Sequence, residues 1–148
     1  MINFQYHTNF NIEQERLFKK NLKSLILDKG LVPGEITYVF CDDEYLSEVN
    51  MKYLNHDTLT DIITFDNRVG ERLNGEIYIS IDRVKENAQS FEVAFEEELI
   101  RVVAHGILHL CGYKDKTEEE AAIMRQEEEK AIRRFLIKTG EKEKGDIL

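Results

Sequence analysis

His105 and His109 stand four residues apart in AHGILHLCGYKDK, residues 104–116. The run is strongly apolar, with helical spacing from Glu96 to Leu110. On a helix, positions i and i+4 share one face about one turn apart. Two imidazoles so placed can reach one metal ion at about 2.0–2.1 Å each. Gly112 follows three residues later, where a glycine can end the helix in a left-handed conformation and turn the chain back. Asp115 lies three residues past that turn, within reach as a third ligand. The spacing of ten from His105 to Asp115 equals the first-to-third spacing of H-E-x-x-H-x-x-G-x-x-H. A zincin/metzincin-like metal helix and turn is therefore expected, with His105, His109 and Asp115 as ligands.

The residues leave a plainer reading open. Two histidines on an apolar helix can be core residues with satisfied nitrogens, and Asp115 can be a turn residue. Cys111 lies two positions past His109, on roughly the opposite face, and reads as a small buried hydrophobe. Gly106 occupies the place where H-E-x-x-H peptidases carry their glutamate base. Glycine in mid-helix costs about 1 kcal/mol against alanine, so a packed strand or a substrate is expected close to the backbone there.

The elements that must position these residues follow hydrophobic period. Strands are expected at 2–6, 35–40, 61–66 and 76–81, and helices at 13–29, from Asp42 or Asp43 through Asn50, at 83–90, at 96–110 and at 117–138. Asp82 is the expected cap of the third helix, and Thr117 with Glu120 forms a capping box for the last. Asn55 to Thr60 reads as a loop, and Asn74-Gly75 as a turn making the last two strands antiparallel neighbours. The fold class is α+β, a mixed four-stranded sheet packed with about five helices. The glutamate triplets 96–98, 118–120 and 127–129 read as solvated helix faces.

At 148 residues with 42% hydrophobic and 33% charged residues, the chain reads as one globular domain, 1–148, with a tail from Thr139 that frays. No apolar run approaches the ~20 residues of a membrane span, and no signal peptide is apparent. Two cysteines, Cys41 and Cys111, make no disulfide scaffold, which suits a cytoplasmic protein. Net charge is -9: residues 1–74 hold 8 basic against 12 acidic residues, and 75–148 hold 12 against 17. Without a basic half, duplex binding through bulk charge is disfavoured.

The segment His105-Gly106-Ile107-Leu108-His109-Leu110-Cys111-Gly112-Tyr113-Lys114-Asp115 resembles the H-G-x-L-H-L-x-G-Y-D-H signature of the YbeY endoribonucleases of ribosomal RNA maturation. Gly75 to Ser80 is similar to the family's G-D-I-x-I-S, Asn50 to Tyr53 to its N-x-x-Y-R, and Thr60 to Phe65 to its P-T-D-V-L-S-F. The resemblance spans roughly residues 46–124 in order. It implies an α+β fold, one zinc on His105, His109 and Asp115, and a single-strand-specific endoribonuclease. It also implies action in 16S rRNA 3′-end maturation and ribosome quality control, with the ribosomal particle or its associated proteins as partners. Asp115 stands where the family usually has histidine, which makes manganese or iron more plausible than three histidines would. Leu54 stands where the family has arginine, the natural phosphate clamp, and Leu59 where it has proline.

A metal with three protein ligands keeps a position for water and lowers its pKa toward ~7, so no side-chain base is named. Arg101, one turn before His105, and Arg68 and Arg72 are the candidate phosphate contacts. Lys114 and Lys116 flank Asp115. Tyr53, Phe65 and Tyr113 are of a type that stacks on bases but more often fills cores. His56-Asp57 reads as part of a turn. Two other functions share the spacing: a metal-dependent peptidase, and a non-catalytic ribosome-associated module with a structural metal. A facial-triad iron oxygenase is disfavoured because all three ligands fall within eleven residues.

Overall fold

The computed structural model describes residues 1–56 and 59–139, with side chains through Leu136. Its order is β1 (Ile2–Tyr6), α1 (Glu15–Asp28), β2 (Val32–Cys41), α2 (Asp43–Val49), β3 (Ile62–Asp66), β4 (Arg72–Ser80), α3 (Ile81–Ser90), α4 (Phe95–Leu110) and α5 (Glu118–Thr139). The sheet order is β1-β2-β4-β3. β1, β2 and β4 run parallel, and β3 pairs antiparallel with β4 at the edge. The mixed four-stranded sheet with five helices is thus as expected. Asp57 and the tail beyond Thr139 lie outside the described residues.

Alternation along the strands decides what each face buries. Ile36, Tyr38 and Phe40 of β2 and Ile77 and Ile79 of β4 are fully buried in one core. Leu22 and Ile26 of α1, Ile100, Val103 and Ile107 of α4, and Ile132 and Phe135 of α5 complete it. Tyr38 donates its hydroxyl to the Val103 carbonyl at 2.6 Å, tying the central strand to α4. The opposite face carries a smaller cluster of Cys41, Leu46, Val49 and Ile63 under α2.

Three local expectations are corrected. Asn74-Gly75 is not a turn but lies inside β4, and the chain reverses earlier, around Gly70 at φ +60°. Asn74 accepts from the Glu35 amide at 2.9 Å, filling the irregularity in β2 between Pro33 and Ile36. Gly75 is required because a Cβ there would meet the Phe65 carbonyl at 2.5 Å. Second, Ser80 rather than Asp82 caps α3, accepting from the Arg83 amide at 3.3 Å. Third, α2 does not stop at Asn50. It continues as a π-turn, Asn50–Leu54, closed by Asn55 in the left-handed region at φ +54°.

Two caps match expectation. Asp42 caps α2 by accepting from the Tyr45 amide at 2.8 Å. Thr117 and Glu120 make both bonds of a capping box, at 3.0 and 3.1 Å. Among the described residues no helix is long and apolar enough to cross a membrane.

Candidate metal centre

α4 crosses the sheet with its apolar face on Ile77 and Ile62, and Gly106 is what allows the approach. A Cβ at that position would meet Ile77 at 2.9 and 3.0 Å and Ile62 at 3.3 Å. The neighbour of Gly106 is therefore packed strand. His105 and His109 lie on a half-buried face of the same helix, with ring centroids 4.6 Å apart and planes at 80°. The helix ends where Gly112 adopts φ +108°, and the Tyr113 amide bonds back to the Leu108 carbonyl at 3.0 Å. That reversal brings Asp115 back over the helix end. Its Oδ2 lies 3.4 Å from His105 Nε2 and 3.5 Å from His109 Nε2.

One ligand atom from each of the three residues lies within 4.8 Å of the other two. Ligands at 2.0–2.1 Å on a tetrahedral ion stand ~3.3 Å apart. The two nitrogen–oxygen separations are close to that edge, and two imidazoles with a carboxylate are a usual zinc donor set. The cluster fits a metal ion. Cys111 is no part of it: the side chain packs against the core, and burial pushes its thiol up to about 11.

The cluster opens into a cleft of about 400 Å³, lined also by Thr60, Asp61, Glu98, Arg101, Arg125 and Glu128. Glu98 and Glu128 are buried, which overturns the reading of their triplets as wholly solvated faces. The reason is one cation. Arg101 donates Nη1 to Glu128 at 3.1 Å and Nη2 to Glu129 at 2.9 Å, and its Nε lies 3.4 Å from Glu98. The guanidinium so surrounded holds the carboxylates inside the protein. Glu128 also faces His105, with Oε2 2.6 Å from Nδ1.

These contacts set the protonation of the groups. Burial lowers His105, but the bond to Glu128 together with the negative charges of Glu128, Asp115 and Asp61 outweighs it and raises the ring above its ordinary value. His109 is lowered by burial and then by the neighbouring His105. Burial raises the carboxyls of Asp61 and Glu98.

Of the three candidate arginines, only Arg101 lines the cleft. Arg68 sits at the end of α4, donating to the carbonyls of Gly70, Leu110 and Cys111. Arg72 begins β4, in register with Val32 and with its side chain beside Gly34. Lys114 and Lys116 are exposed on either side of Asp115. Tyr53 is exposed and edge-on to Phe65 at 5.8 Å, while Lys29 lies over the Tyr113 ring at 5.1 Å. Asp61, Glu98 and Glu128 carried no assigned role in the sequence. Only their partners distinguish the buried Glu98 and Glu128 from the less buried glutamates beside them.

Comparison with known proteins settles the lineage. The family described as "Endoribonuclease YbeY" matches residues 2–136. The chain belongs to the YbeY family. An endoribonuclease YbeY of Flavobacterium johnsoniae is 53% identical over 137 residues, covering 93% of this chain and 99% of that protein. That of Porphyromonas gingivalis is 46% identical over 119 residues, covering 80% and 79%. The solution structure of a Thermotoga maritima protein superposes with a TM-score of 0.66 at 27% identity, over 92% of this chain and 89% of that one. YbeY membership together with the metal-ready cluster supports a metal-dependent nuclease activity in general.

Proposed function

We propose that this chain is a single-strand-specific metallo-endoribonuclease acting in 16S rRNA 3′-end maturation and ribosome quality control. His105, His109 and Asp115 hold one zinc ion in this reading, with manganese or iron as substitutes favoured by the carboxylate. The α4 helix, the Gly112 turn and Asp115 together make a zincin/metzincin-like centre. The observation that carries the proposal is the convergence of three ligand atoms within 4.8 Å, with Asp115 Oδ2 at 3.4 and 3.5 Å from the two imidazole nitrogens, in a chain whose relatives are named endoribonucleases.

When bound, the metal supplies Lewis acidity that makes water a nucleophile at neutral pH and draws charge from a phosphoryl oxygen. The chain's own residues do the rest. His105 and His109 present nitrogens from a helix fixed by Gly106 against Ile77, and Asp115 closes the triangle from a turn. The cleft is acidic, so a phosphodiester enters favourably only with a cation in place. At about 400 Å³ it has the size of a small-molecule pocket, which suits an unpaired nucleotide and not a duplex. Arg101 is taken up by three carboxylates, and Arg68 and Arg72 lie outside the cleft lining. Phosphate contacts on either side of the cut therefore fall first to Arg125, which lines the cleft, and to the exposed Lys114 and Lys116 beside Asp115.

Peptide hydrolysis fits less well, because Gly106 is packed on Ile77 where the peptidase base would stand. The two free cysteines and a ribosomal substrate agree with a cytoplasmic setting, with ribosomal particles or associated proteins as partners. The test is cleavage of one RNA sequence presented single-stranded and annealed to its complement, with zinc or manganese added. Cutting of the single strand alone is expected. Equal cutting of both forms overturns the single-strand assignment, and cutting of neither overturns the nuclease assignment.

A further inference from the structure

The His105 ring has two nitrogens and, when neutral, one proton. Two carboxylates compete for that proton. On one edge Asp115 lies 3.4 Å from Nε2 and is exposed. On the other, Glu128 lies 2.6 Å from Nδ1 and is buried. The shorter contact in the drier place wins, because a charge-assisted bond strengthens as water is excluded.

Glu128 is itself held. Its Oε2 takes His105, and its Oε1 takes Arg101 Nη1 at 3.1 Å. Arg101 is fixed in turn by Glu129 at 2.9 Å and Glu98 at 3.4 Å. Met124, Ala131 and Ile132 bury the neighbouring turns of α5, so the carboxylate is presented from a packed helix.

We infer that Glu128 is a positioning residue: it fixes the His105 proton on Nδ1 and leaves the Nε2 lone pair aimed at the site shared with His109 and Asp115. Arg101 serves this arrangement by orienting Glu128. The inference rests on the proposed metal centre for its functional meaning. It assigns to two residues outside the ligand set the task of keeping one ligand in its binding tautomer.

Both oxygens of Glu128 must accept, and a glutamine cannot do that. With its oxygen toward His105, its NH2 meets the Arg101 guanidinium, donor against donor. Turned over, its NH2 meets Nδ1 and forces the proton onto Nε2, the nitrogen that would bind the metal. E128Q therefore frustrates the site in either orientation with almost no change of shape.

The test uses the full chain. Zinc affinity is measured by competition with a chromophoric chelator for wild type, E128Q and E127Q, the last changing the same residue type one position away. The His105 tautomer is read by 15N NMR in metal-free wild type, at a pH high enough to leave the ring neutral. E128Q is expected to bind zinc about 10- to 100-fold more weakly. E127Q is expected to stay within about twofold, and wild-type His105 to carry its proton on Nδ1. An Nε2–H tautomer in wild type overturns the inference, as does a folded E128Q with wild-type zinc affinity. If E128Q does not fold, the wild-type tautomer decides. If wild type binds no zinc, the metal centre falls, and the tautomer still decides whether Glu128 sets the ring.

Discussion

Asp115 Oδ2 stands 3.5 Å from His109 Nε2, although His109 lies in the last turn of α4 and Asp115 lies beyond the helix end. The Gly112 turn makes the contact, and Asp115 has no other structural duty among its described contacts than this cluster. Asp115→Ala is therefore expected to leave the metal-free protein within about 0.5 kcal/mol of wild type, as for an exposed side chain. Zinc at 100 times its dissociation constant stabilises a folded site by about 2.7 kcal/mol, or roughly 5–10 °C in Tm for a chain of this size. Thermal unfolding with and without zinc checks this: wild type gains that shift and Asp115→Ala loses it. A full shift in the mutant removes Asp115 from the ligands.

Gly106 sets the distance between α4 and the sheet. Alanine gains about 1 kcal/mol of helix propensity. Its methyl group, however, must enter where Ile77 lies at 2.9 Å, and Ile77 is fully buried. Overpacking of this kind costs about 1–3 kcal/mol. Gly106→Ala is expected to be destabilised by up to about 2 kcal/mol in urea unfolding and to bind zinc more weakly as α4 shifts. A stabilised variant would show that the strand yields freely.

Lys29, just past α1, pairs with Glu127 of α5. Glu127 is partly buried, yet its bonds to Lys29 and Lys130 hold the carboxyl below its ordinary value. A depressed carboxyl means the unfolded chain binds the proton more readily, so the stabilisation is complete above the unfolded value near 4.5 and fades as pH falls through the folded one. E127Q is expected to cost about 1 kcal/mol at pH 7. Denaturation from pH 7 to pH 3 should show the gap between wild type and E127Q closing as the pH drops. A gap independent of pH contradicts the assignment.

The helices, the strands and the three clustered residues were legible because each depends on short-range pattern. The His105–His109 spacing, Gly112 and the Thr117–Glu120 box lie within a few residues of what they organise. Asn74-Gly75 misled because a turn dipeptide can equally mark a close strand approach, and only the Phe65 carbonyl and the Glu35 amide decide. Glu128 was hidden for a related reason. It stands between Glu127 and Glu129, and its burial is set by Arg101 and His105, 27 and 23 residues earlier in the chain. Arg101 drew attention as a cation beside the site, but its partners lie on α4 and α5.

Lys114 and Lys116 are the exposed cations nearest the ligands in sequence. If they hold RNA phosphates, log affinity for a single strand falls linearly with log salt, by about 0.7 per phosphate neutralised. The double variant Lys114→Ala/Lys116→Ala is expected to bind more weakly and to lower that slope by roughly 1.4. Fluorescence anisotropy across a salt series checks it. An unchanged slope places the phosphate contacts elsewhere.

The most direct measurement is cleavage of a single-stranded RNA carrying the 3′ end of 16S rRNA by purified wild type and His109→Ala, each with zinc or manganese and with chelator. The expected result is cutting by metal-loaded wild type, abolished by chelator and reduced to background in His109→Ala. Equal cutting by wild type and His109→Ala, or cutting that survives the chelator, would contradict a nuclease centre built on His105, His109 and Asp115.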